Sequence, residues 1–302
     1  MNPPWLVQAE RSNIVALRSL VWITTILGRR VGQWLLYPTC LYFLMFSVRA
    51  RHASKQYLER ALGRPARWRD VFLHYLTFAT VALDRVFLLS DRFDLFDIQS
   101  HGHQPLLDLV DNKQGAFLLG AHIGSFEMLR AIGEKRRGVT VRMLMFEDIA
   151  RKLNAALNAI NPNFKMNIIG LGKLDSMLKI GEHLEAGELV GMLGDRAISA
   201  TGQVKFPFFG HDAEFPDAPF RLAAMLKCPV ILMVGLYRGG NRYDLYFEQL
   251  VDGLPVDRKE RERVIQSWQR RYVARLEHYC RLAPYNWFNF YDFWDSDDKS
   301  DS

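Results

Sequence analysis

The strongest constraint on how this chain folds is a series of short apolar segments that alternate with helix-like segments from residue 115 onward. GAFLLGAH (115–122) is apolar and bounded by glycine, as a strand buried on both faces should be. The pattern then predicts a helix over 124–136, a strand VTVRMLMF (139–146) and a helix over 148–160 that ends at Asn161–Pro162. A strand FKMNIIGLG, a helix over 174–186 closed by Gly187 and a strand ELVGMLGD (188–195) follow. Alternation at this rhythm predicts an α/β fold, a mostly parallel mixed sheet flanked by helices. Further on, VKFPFFG reads as an extended segment and 217–227 as a helix. PVILMVGLY and YDLYFEQL read as a hairpin turning at Arg238–Gly239–Gly240–Asn241. A long charged helix, 257–282, precedes the aromatic tail PYNWFNFYDFW.

The amino-terminal part is of another kind. Ile14, Leu17, Leu20, Val21 and Leu27 recur at roughly helical spacing. The uncharged run VGQWLLYPTCLYFLMFSV (31–48) follows, with Arg29–Arg30 before it and Arg49–Arg51 after it. A spanning helix wants about 20 mostly apolar residues, and this run contains Gln33 and Pro38. A helix kinked at Pro38 and lying in one leaflet, a true span and a helix packed on the body all fit. Trp34, Tyr37 and Tyr42 suit a membrane interface, and the basic flanks suit anionic headgroups. Residues 66–90 read as a further apolar helix. The expected organisation is an appendage over 1–60 and one catalytic domain over 61–302.

Composition narrows the function classes. A net charge of +6 favours anionic partners, but the aromatic residues sit in apolar runs and do not alternate with Lys/Arg, which argues against nucleic acid. Cys40, Cys228 and Cys280 are far apart and odd in number, so no disulfide framework is expected. There is no HExxH, and His101 and His103 beside Gly102 read as loop residues, so no metal is expected. Gly170–Leu–Gly172–Lys173 has the wrong spacing for a phosphate loop. Gly120–Ala–His122–Ile–Gly124 puts histidine where a serine hydrolase has its nucleophile.

The stretch that points to chemistry is GAHIGSFEML (120–129). His122 falls at the end of a strand, where ligands of open α/β sheets collect. Gly124–Ser125 turns the chain into the next helix and places Glu127 in its first turn. An imidazole titrates near neutrality and can take a proton from an attacking hydroxyl. A carboxylate on its other nitrogen would fix the tautomer, which makes Glu127 the expected partner. The amino terminus of that helix could offer N–H groups to an oxyanion. By spacing alone, a strand-end histidine and a helix-capping glutamate serve structural roles as readily.

His122-x4-Glu127 after a short apolar strand resembles the signature of the lysophospholipid acyltransferase superfamily. A second block, LVGMLGDRAISATGQVKFPFFGHDAEFPDAPFRLAAMLKCPV (189–230), is similar to the bacterial lipid A biosynthesis (lauroyl/myristoyl) acyltransferase branch, as are the apolar amino terminus and the aromatic tail. The resemblance covers roughly residues 60–290 and implies a glycerol-3-phosphate acyltransferase-like α/β domain with membrane-associated amino-terminal helices. It implies O-acyl transfer from a thioester, on acyl carrier protein or coenzyme A, to a hydroxyl of a lipid or glycolipid, without a further cofactor. In that reading His122 is the general base and Glu127 its partner. Asp195, Arg196, Glu147, Gly124 and Ser125 bind substrate, Arg196 by meeting a phosphate. The expected setting is the cytoplasmic side of a bacterial inner membrane with an anionic surface. Relatives often carry an arginine near the turn before the third strand. This chain has Asn161, Pro162, Asn163 and Lys165 there, which bears on the acceptor. The competing reading is an inactive membrane-bound module that presents lipid or acyl carrier protein to a partner.

Overall fold

The computed structural model describes residues 24, 26–128, 140–146, 150, 151, 154, 157, 167–172, 175–196, 202–253 and 257–294. Among the described elements three helices come first: α1 (Arg29–Phe46), α2 (Val48–Leu62) and α3 (Trp68–Leu88). Then follow β1 (Asp97–His101), α4 (Gln104–Asp111), β2 (Ala116–Gly120), β3 (Val141–Phe146), β4 (Ile168–Leu171), α5 (Ser176–Glu185) and β5 (Leu189–Leu193). The chain continues through β6 (Gln203–Phe208), β7 (His211–Pro216), α6 (Ala218–Leu226), β8 (Val230–Tyr237), β9 (Arg242–Val251) and α7 (Arg261–Leu282). The expected helices over 124–136 and 148–160 lie largely outside the described residues.

Seven strands form one sheet in the order β1-β9-β8-β2-β5-β3-β4. β2 runs parallel to both β5 and β8, and β3 runs parallel to β4 and β5. The continuous apolar run of β2 is buried along its whole length, because helices cover both faces of a parallel sheet. β8 and β9 pair antiparallel across the expected turn, so the sheet is mixed and mostly parallel, as the alternation predicts.

Two features differ from expectation. VKFPFFG is only half of a hairpin, since β6 pairs antiparallel with β7. Its two-residue turn has Phe209 at φ 55° and Gly210 at φ 80°, and a phenylalanine in the first left-handed position conceals the turn from residue preferences. Pro38 does not break the apolar run. α1 continues through it, and the break comes at Ser47, where α2 departs at 97°. Gly32, Leu36, Cys40 and Leu44 form one buried face of α1. That face packs on α3 and outweighs the single backbone hydrogen bond a proline removes.

The expected boundary at residue 60 falls inside α2. Tyr57 of that helix is fully buried, donates to the Pro284 carbonyl at 2.8 Å and packs its ring against Trp287. α3 is the one described helix long and apolar enough by itself to cross a membrane, yet more than half of that stretch is buried and it carries the buried polar residues Asp70, His74, Thr80 and Asp84. It is a core helix. Arg29 joins α1 to it: its guanidinium grips the Asp84 carboxylate at 2.6 and 2.8 Å, and Tyr243 donates to the same carboxylate at 2.7 Å.

Removing Arg29 leaves Asp84, 1% exposed, as a buried charge without its counter-ion. Arg29→Met should lower the stability by about 3–5 kcal/mol in denaturant unfolding. A loss within 1 kcal/mol would show that this pair does not hold α1 in place.

Candidate active site

The sheet register brings two strand ends together. Gly120 pairs with Leu193, so His122 and Asp195, each two residues past its strand, emerge side by side at the carboxyl edge. Asp195 is completely buried. One carboxylate oxygen meets His122 Nδ1 at 2.8 Å. The other accepts the His122 backbone N–H at 3.0 Å and the Trp287 indole N–H at 3.0 Å. Burial opposes the charge on this carboxylate, but the His122 imidazole, the Arg196 cation and the indole donor outweigh it and hold its pKa well below the usual range. An ionised carboxylate only accepts, so Nδ1 carries the imidazole proton and the lone pair sits on Nε2. Among the described residues no protein group bonds Nε2, and about a third of the His122 side chain is exposed, at 34%. Burial lowers the imidazole pKa and the Arg196 and Arg85 cations lower it further, against the pull of Asp195. The ring is therefore neutral near pH 7.

The expected His122–Glu127 pairing is corrected. Asp195 occupies Nδ1, and Glu127 pairs with Arg85 of α3 at 2.8 Å. Between the two motif residues two backbone hydrogen bonds hold the chain. Gly124 N–H donates to the Asn286 carbonyl and Ser125 N–H to the Gly235 carbonyl, both at 2.8 Å. Gly124 sits at φ 60°, and any Cβ there would come within 1.8 Å of the Gly235 oxygen. Those two N–H groups are therefore bonded within the protein. Ser125 is buried, and its hydroxyl accepts the Met128 N–H at 3.2 Å, a helix cap.

Arg196 donates to the Phe288 carbonyl at 2.6 Å and lies 5.3 Å from the centre of the Tyr291 ring. Among the described residues its Nε, like that of Arg85, is buried without a hydrogen-bond partner. Glu147, Asn161, Pro162, Asn163 and Lys165 lie outside the described residues. Among those described, no cluster of His, Cys, Asp and Glu could hold a metal ion, and His101 stacks on Tyr246. The three cysteines are free and buried.

Against this geometry, the family model for bacterial lipid A biosynthesis acyltransferases matches residues 88–294, well over half of the chain. The chain belongs to that family. It is an acyltransferase with a lipid acceptor, the class that the two sequence blocks imply. Among curated proteins, none matches it.

Several site residues were not foreseen. Arg85 lay inside an apolar helix pattern, Trp287 inside a tail that reads as packing, and His74 inside α3. His74 is fully buried. Its Nε2 bonds the Trp287 carbonyl at 2.8 Å, so that nitrogen carries the proton, and its Nδ1 accepts from the Ser54 hydroxyl of α2 at 2.8 Å. A line of hydrogen bonds thus runs from α2 through α3 and the tail to Asp195 and His122.

Burial holds the His74 pKa at about 4, against an ordinary value of 6.5. As pH falls through 6.5 the unfolded chain takes up a proton that the folded one refuses until about pH 4. Stability should decline across that window, by about 3 kcal/mol at most from this residue. His74→Gln should make the fall visibly shallower in unfolding measured from pH 7 to 4. An unchanged pH slope would contradict the assignment of a neutral, buried His74.

Proposed function

We propose that this acyltransferase moves a fatty-acyl chain from an acyl thioester, carried on acyl carrier protein, to a hydroxyl of a lipid or glycolipid at the cytoplasmic face of a bacterial inner membrane. The observation that carries this reading is the His122 imidazole held through Nδ1–H by a buried, ionised carboxylate, with Nε2 left for substrate. The acceptor hydroxyl gives its proton to Nε2 as its oxygen attacks the thioester carbonyl carbon. The C–O bond forms, the tetrahedral centre collapses, the C–S bond breaks and the thiolate recovers the proton from the imidazolium. Asp195 stabilises that imidazolium, as the acid of a serine-protease triad does. Arg85 and Arg196 border the imidazole and suit the phosphate of a phosphopantetheine arm or of a phosphorylated acceptor, with Glu127 holding Arg85 in position.

The membrane reading is supported by the outer side of α1 and its surroundings. Trp34, Met45, Phe46, Val48 and Trp68 are each 60% exposed or more, and Arg30, Arg49, Arg67 and Arg69 are exposed as well. Apolar and aromatic side chains set among arginines suit the interface of an anionic bilayer. Because the opposite face of α1 packs on α3, the helix fits a position along the membrane surface better than a span.

His122→Ala should lower acyl transfer by about 10²–10⁴-fold with the fold retained, measured by mass spectrometry of products from acyl carrier thioester and lipid extract. An undiminished rate in that variant would refute the base assignment.

A further inference from the structure

The tripeptide Asn286–Trp287–Phe288 touches almost every part of the site. The Asn286 carbonyl accepts from Gly124, and its side chain bonds both the N–H and the C=O of Tyr237 beside the motif loop. Phe288 N–H donates to the His122 carbonyl at 2.8 Å, and the Phe288 carbonyl accepts from Arg196. Between them the Trp287 indole N–H donates to Asp195, while the Trp287 carbonyl is held by His74. The indole is fully buried and packs edge-on against Tyr57, Phe208 and Phe293, with ring centres 4.9, 5.3 and 4.9 Å away. Packing alone would be met by any large aromatic ring. The N–H is aimed at the one carboxylate oxygen that does not hold the imidazole.

We propose that Trp287 is a positioning residue of the acyl-transfer site, whose indole N–H fixes the Asp195 carboxylate in the orientation that presents His122 Nε2 to the acceptor hydroxyl. Two donors, the His122 backbone and the indole, hold one oxygen and leave the other for Nδ1. Without the indole the carboxylate keeps one fixed donor and can rotate about its Cβ–Cγ bond, so that the imidazole loses its fixed direction. Precise placement of a general base is worth orders of magnitude in rate, and a hydrogen bond to a charged group is among the stronger kinds. The tail is therefore part of the catalytic framework, and its anchor at Ser54–His74 ties that framework to the helices on the proposed membrane side. The inference rests on the reading of His122 as the base.

Its test compares the native enzyme, Trp287→Phe and His122→Ala with acyl carrier thioester and lipid extract, measuring kcat, KM for the thioester and the rate–pH profile. Trp287→Phe keeps an aromatic ring and loses the donor. It should lower kcat by about 10–100-fold with KM unchanged. Losing the donor leaves the carboxylate more basic and the imidazolium better held, so the acid limb of the profile should move to higher pH. The cations that also face the imidazole, Arg85 and Arg196, are unchanged in this variant. Native kcat in Trp287→Phe, or a fall in kcat with the acid limb unmoved, would overturn the proposal and leave the indole a packing residue. Should Trp287→Phe fail to fold, benzothienylalanine at position 287 replaces N–H by sulfur in a ring of the same shape, and the same two readouts decide. An active His122→Ala would instead point to failure of the base assignment.

Discussion

A fully buried carboxylate organises this molecule. Placing Asp195 out of water costs several kcal/mol unless its oxygens are satisfied, and three donors from two distant parts of the chain meet that need. The parallel register of β2 and β5 sets Asp195 beside His122, and the tail after α7 brings in the indole. α7 also steadies the end of β2, where Tyr272 donates to the Gly120 carbonyl at 2.9 Å. In the proposed mechanism catalytic competence and folding draw on the same hydrogen bonds.

The helical layer is joined to this centre in a way that a detachable anchor would not be. α1 is clamped to α3 through Arg29 and Asp84, α2 reaches the tail through Tyr57 and bonds α3 through Ser54, and α3 contributes His74 and Arg85. The same three helices carry the exposed aromatic and basic side chains proposed to meet the bilayer. An enzyme whose acceptor is a lipid gains from such a connection, because the surface proposed to meet the membrane is joined through His74 and Tyr57 to the tail that holds Asp195.

Much of this was legible in the sequence where the signal is local. Strand-length apolar runs bounded by glycine marked β2 and β5, and the hairpin at Arg238–Asn241 followed from its turn residues. Asp195 and Arg196 were placed at the carboxyl edge because their strand ends there. What stayed hidden depends on register and tertiary contact. The sequence distance between His122 and Glu127 suggested a partnership, whereas Asp195, 73 residues away, holds the ring through strand pairing. Arg85, His74 and Trp287 lie in apolar or aromatic patterns where a polar atom has no periodic signature. The turn at Phe209–Gly210 hid β7 because its first left-handed residue is not glycine, asparagine or aspartate.

The central claim is that Asp195, and not Glu127, is the carboxylate that sets the tautomer of the catalytic imidazole. Replacing it by asparagine keeps its shape, removes the charge and offers an N–H₂ where Nδ1–H needs an acceptor. The rate of acyl transfer by purified Asp195→Asn is the most direct measurement. A fall of about 10⁴-fold, as in a triad forced into the wrong tautomer, with the fold intact is the predicted result. A rate within a few-fold of the native enzyme would contradict the account.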